Sequence, residues 1–129
     1  MRQYVYVSTA ENLASQEVTE ILESCNRNNP FQGLTGLLLY NGRNFLQVLE
    51  GEHDSLERVM RRIEHDSRHH GISRLHDEPI DDRTCPDWSM RRLALGEPGD
   101  SRRERLETEL PVSLDPLVRR MILNFAMLN

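Results

Sequence analysis

The chain has 129 residues, a net charge of −5 at neutral pH and no lysine, so all 16 of its basic residues are arginine. That length fits one domain able to bury roughly two-thirds of its unfolded surface, and the acidic balance, with no basic block, argues against nucleic-acid binding. No stretch has the apolar run of a signal peptide or a membrane span, and two cysteines without metal or redox spacing suit reduced thiols in a cytoplasmic protein.

Tyr4 to Ser8, YVYVS, is rich in aromatic and β-branched residues and predicts the first strand. Ser15 is the candidate N-cap of a helix whose Val18, Ile21, Leu22 and Cys25 repeat at i, i+3, i+4, i+7. Proline disfavours helical geometry at the residue before it, so this helix is expected to fail at Asn28-Asn29-Pro30. GLTGLLLY predicts a second strand, and Asn41-Gly42 signals a type I′ turn into a third, Arg43 to Glu50. Asp54 and Glu57 have capping-box spacing at the head of a second helix. There Leu56, Val59, Met60 and Ile63 repeat the amphipathic pattern before the polar run EHDSRHHG. Ile72 to Ile80 reads as a fourth, less regular strand, DDRTCPD as a loop and WSMRRLAL as a fifth strand.

The order β-α-β-β-α-β-β matches a ferredoxin-like sandwich with one added strand. The expected fold is α+β: a mixed five-stranded sheet with two helices on one face, plus a C-terminal helical segment. From Gly96 the composition changes. GEPGDSRRERLETELP reads as a polar linker with a short helix, and SLDPLVRRMILNFAMLN as a final helix with Ser113 as candidate cap. Leu117, Met121 and Leu128 share one side of it, and Val118, Ile122 and Phe125 widen the stripe. Such breadth leaves two readings, docking on the free face of the sheet or a surface for another chain. Residues 1–95 are expected to form the folded domain and 96–129 a linker and helices for output or oligomerisation.

Within FLQVLEG, Gln47 interrupts an apolar strand, and a buried amide without partners costs about 1–3 kcal/mol. Strand alternation puts Phe45, Gln47 and Leu49 on one face, and Tyr6 projects opposite to Val5 and Val7. Pairing of the first and third strands makes Tyr6 and Gln47 neighbours on the helix-covered face, with Asn29 closing the first helix beside them. Two readings fit this pattern. One is a self-satisfied structural network; the other is a slot for a flat, polar-edged ligand between the helices.

The sequence resembles the BLUF family of flavin-binding blue-light sensors. The matching runs are YVYVS, SCNRNNPFQGLTGLLLYNGRNFLQVLEG, RRIEHDSRHH and, after EPI, PDWSM, in order over roughly residues 3–95. The resemblance implies that Tyr6 is the photoactive tyrosine, the electron and proton donor to an excited flavin. It implies that Gln47 is the switching glutamine, by rotation or tautomerisation, and that Asn29 holds the C4=O and N3 edge of the ring. Arg62, Asp66 and Arg68 match positions around the C2=O side of the flavin pocket. Trp88 and Met90 match the family's modulating pair on the fifth strand, and either of the two could be the one that faces the flavin. Cys25 stands where some members have serine and is expected to tune the site.

The implied cofactor is non-covalent FAD, with FMN and riboflavin as alternatives. The implied function is light sensing passed to a partner protein or a homo-oligomer interface, without enzymatic activity, nucleic acid or membrane. A flavin-free interaction adaptor on the same fold is the alternative. His65 and His69 are i, i+4 with His70 and His76 nearby, but no HExxH or cysteine cluster joins them, and no metal is expected.

Overall fold

A computed structural model describes residues 1–10, 13–68, 70–85, 90–93, 95 and 100–127. Its elements are β1 (Arg2–Thr9), α1 (Ser15–Gln32), β2 (Thr35–Tyr40), β3 (Asn44–Gly51), α2 (His53–Glu64), β4 (His70–Pro79), β5 (Arg91–Arg92), α3 (Asp100–Glu109) and α4 (Pro116–Met127). The sheet order is β4-β1-β3-β2-β5. β3 lies antiparallel between β1 and β2, and the added β5 runs parallel to β2, which makes the sheet mixed. The expected ferredoxin-like fold is therefore present.

Period-two alternation sorts the strand residues onto two cores. Tyr4, Tyr6, Leu38, Phe45 and Leu49 face Val18 of α1 and Leu56, Val59 and Met60 of α2. Val5, Leu37, Leu39, Leu46 and Val48 face the other way, onto Leu106, Val118, Ile122 and Phe125 of the C-terminal helices. No side chain fits at Gly36, because a Cβ there would overlap the Val48 carbonyl. β4 pairs with β1 through two register shifts, in keeping with its irregular pattern.

Several boundaries differ from the sequence reading. α1 does not fail before Pro30 but runs through it to Gln32. Gly33, at φ +66°, closes the helix: its N–H bonds the Pro30 carbonyl at 3.2 Å, and the Leu34 N–H bonds Asn29 at 2.9 Å. This Schellman closure satisfies two of the carbonyls left open at the helix end. α1 is capped one residue early, by Ala14, whose N–H is held by the Glu17 carboxylate at 3.1 Å.

The N-cap of α2 is Glu52 rather than Asp54, which instead complements the dipole in the first turn. For α4 the cap is Asp115 rather than Ser113: its Oδ1 accepts the Leu117 N–H at 2.7 Å, with Pro116 at the first helical position. The hairpin has Gly42 and Arg43 at its tip, one residue on from the expected Asn41-Gly42. Tyr40 pairs with Phe45, and Asn41 Oδ1 accepts the N–H groups of Arg43 and Asn44. Of the described residues of WSMRRLAL, only Arg91 and Arg92 form β5, and Trp88, Ser89 and Ala94 lie outside the described residues.

The C-terminal stripe is mostly covered by the protein's own sheet, the first of its two readings. Val118, Ile122 and Phe125 are buried, while Leu117 stays 49% exposed; Leu128 lies outside the described residues. Arg102 on α3 reaches across to donate to the Ala126 carbonyl at 2.9 Å, tying the two helices together.

Candidate functional site

β1 and β3 set the floor of the site. Their register pairs Tyr6 with Gln47, and the Tyr6 hydroxyl donates to Gln47 Oε1. The other end of the amide donates to Met90 Sδ at 3.5 Å. Both ends of a buried amide are thus engaged, one by a phenol and one by a soft, weak acceptor. Burial pushes the Tyr6 phenol well above its usual pKa, with Cys25 and Asp66 adding to the rise, so the hydroxyl stays protonated and remains a donor.

Above this floor, α1 and α2 enclose a cavity of about 610 Å³. Its α1 wall is Ile21, Ser24, Cys25, Asn28 and Asn29; its α2 wall is Val59, Arg62 and Ile63, with Asp66 just beyond that helix. The α1 wall repeats at i, i+3, i+4, i+7, so helical spacing selects Ser24 and Asn28, which were not among the site candidates read from the sequence. Asn29 is only 3% exposed because the helix continues through Pro30 and carries it inward.

Each sequence candidate can now be placed. Tyr6, Gln47, Asn29, Cys25, Arg62, Asp66 and Arg68 all line the cavity. Asp66 and Arg68 are engaged with each other, by a fork of contacts at 2.6–3.1 Å, and Asp66 accordingly raises the Arg68 pKa. Cys25 is a thiol pushed above its usual pKa by burial, against the opposing influence of Gln47. Met90 is buried beside Gln47, whereas Trp88 lies outside the described residues. His65, at the rim, bonds the Arg61 carbonyl through Nδ1 at 2.7 Å; His69 lies outside the described residues.

Tyr4 shares this face but not this role. Its hydroxyl donates to Glu57 at 2.7 Å, and the Arg74 guanidinium stacks 4.4 Å from its ring centroid while also bonding Glu57. Burial, then the Glu57 hydrogen bond, pushes the Tyr4 pKa to about 12. A raised phenol favours the protonated folded state, so its contribution is complete below the unfolded pKa of about 10 and is lost as pH rises towards 12. Alkaline unfolding should accordingly set in across that window, and Tyr4→Phe should weaken the pH dependence there in a thermal-melt series.

The cavity fits a flavin chemically. Its walls are apolar, from Ile21, Leu38, Phe45, Val59 and Ile63, as a fused ring requires. At its edges Asn28, Asn29, Gln47 and Arg62 supply donors and amide acceptors suited to carbonyl and imide groups.

The family model described as "Sensors of blue-light using FAD", the BLUF domain, matches residues 1–91. The photoactivated adenylate cyclase subunit beta of Euglena gracilis is 32% identical over 87 residues, covering 66% of this chain and 10% of that protein. The blue light- and temperature-regulated antirepressor BluF of Escherichia coli is 37% identical over 60 residues, 46% of this chain and 15% of that protein. Among solved structures, the dark state of BlrB, a BLUF protein, aligns with a TM-score of 0.74 and 29% identity, covering 98% of this chain and 93% of that one. The chain spans about a tenth of the length of the cyclase relative.

Proposed function

The chain belongs to the BLUF family, sensors of blue light using FAD, and on that premise we propose a photosensory unit over residues 1–95 that holds a flavin non-covalently and reports light through Tyr6 and Gln47. The observation carrying this reading is the Tyr6–Gln47–Met90 chain on the floor of an apolar-walled cavity.

A bound flavin supplies absorption of blue light and, once excited, oxidising power. Tyr6, a phenol in the same cavity, is the group able to give an electron and the proton at its oxygen. That proton already points at Gln47 Oε1, so it has a short route to the amide. Gln47 can invert its hydrogen-bond pattern, by rotation or tautomerisation, because donor and acceptor occupy opposite ends of the amide. Leucine could not do this, and an ionised glutamate could not donate.

Asn29 and Arg62 would hold the ring edges, with Asp66 and Arg68 ordering the end of α2 beside them. Cys25 and Met90 would tune the site, and Cys25, kept as a thiol by its surroundings, is a poor nucleophile, which supports non-covalent binding.

The rearrangement would travel along β5. Met90 belongs to the cavity-side core, while Leu93, three residues on, belongs to the core under α3 and α4. Residues 96–129 would deliver the output to a second copy or a downstream protein, and Val112, 98% exposed between the helices, together with Leu117, is the apolar surface offered. Among the described residues no helix is long and apolar enough to cross a membrane. A cytoplasmic, non-enzymatic sensor is the corresponding proposal.

Denaturing the purified protein should release one flavin per chain, running as FAD on chromatography. A colourless protein that takes up neither FAD, FMN nor riboflavin would instead support a flavin-free adaptor.

A further inference from the structure

Glu50 is a carboxylate with no exposure, on the sheet face turned away from the cavity. It accepts from Gln3 Nε2 at 3.2 Å, Thr35 Oγ1 at 3.1 Å, the Thr84 N–H at 2.8 Å, the Cys85 N–H at 2.9 Å and the Thr84 hydroxyl. Every one of these donors is neutral, and together they fix residues 84 and 85 against β3. The neighbouring Arg83 is thereby aimed at the end of α1. Its guanidinium donates to Thr35 Oγ1 at 2.9 Å, the Glu50 carbonyl at 3.1 Å and the Gly33 carbonyl at 2.7 Å.

α1 has no basic residue in its own last turn, although the exposed carbonyls there carry partial negative charge. Arg83 supplies the cation from 50 positions away. What it holds matters to the cavity, because Gly33 and Leu34 close back on the carbonyls of Pro30 and Asn29. The helix ends here, just past Pro30, and Arg83 binds the carbonyl of Gly33, the residue that closes the turn. Asn29, one residue before the proline, is the side chain this turn presents to the cavity.

We infer that Arg83, braced by the buried Glu50 carboxylate, is a positioning residue for the cavity that acts through Asn29. The role rests on the flavin reading, but one of its measurements needs no flavin.

Arg83→Gln is tested in two ways. In flavin-free protein the Leu34 amide should exchange about tenfold faster relative to β1 amides, as loss of a charge-assisted hydrogen bond allows. In titration with FAD the Kd should rise about tenfold, with Arg83→Lys recovering part of the loss. In an Asn29→Ala background Arg83→Gln should change the Kd by less than about twofold, since the effect passes through that side chain. Unchanged Leu34 exchange, or the same loss of affinity with and without Asn29, would overturn the inference.

Should Arg83→Gln fail to fold, Thr84→Val, which removes one Glu50 donor, is expected to give the same pattern more weakly. If it leaves Leu34 exchange unchanged, the inference fails too. A native chain that takes up no flavin would defeat the photosensor reading, and Leu34 exchange would still decide whether Arg83 fixes the turn.

Discussion

Gln47→Leu is expected to keep the flavin and abolish the reversible red shift completely. Leucine fills nearly the same volume, and the apolar walls that would grip the ring are untouched. What disappears is the amide, the only group on the described floor that offers Tyr6 an acceptor at one end and Met90 a donor at the other. The orphaned Tyr6 hydroxyl costs about 1–3 kcal/mol of stability, which a domain of ordinary stability survives. Tyr6→Phe should likewise silence the shift, removing the electron and proton donor while sparing the amide. A light-minus-dark difference spectrum of each variant checks both. A normal red shift in flavin-loaded Gln47→Leu would break the mechanism while leaving the fold intact.

Deleting residues 96–129 is expected to unfold or aggregate the remainder rather than merely uncouple its output. Leu106, Leu110, Leu114, Val118, Ile122, Leu123, Phe125 and Ala126 are all buried in the core that covers the second face of the sheet. Each large side chain among them is worth about 1.5–3 kcal/mol, so together they are comparable to the roughly 5–15 kcal/mol by which a whole domain is stable. The deletion would also bare Val5, Leu37, Leu39, Leu46 and Val48. Size-exclusion chromatography and a thermal melt decide the matter. A soluble remainder melting within a few degrees of the full chain would mean that α3 and α4 contribute little.

The site's floor was legible in the sequence for a simple reason. Strand alternation is strict, so a polar residue among apolar neighbours, such as Gln47 in FLQVLEG or Tyr6 in YVYVS, announces its face and its partner. The helix ends were less legible, because caps compete. Ser15 and Ser113 have the right chemistry, yet Ala14 takes a cap through Glu17, and the Asp115-Pro116 pair makes a better start for α4. Pro30 misleads for a related reason: its local penalty is real, but the helix runs on to a closure at Gly33, whose carbonyl is held by Arg83, a residue no local pattern links to α1. The Glu50 cluster was invisible for the same cause, since its donors come from positions 3, 35, 84 and 85. The breadth of the C-terminal stripe was correctly seen, but only the second core shows that most of it is spent on the chain's own sheet.

The most direct measurement is the visible spectrum of the purified protein before, during and after blue illumination. The account predicts a flavin band that moves to longer wavelength in light and returns in darkness. A bound flavin whose band does not move would contradict the Tyr6–Gln47 switch.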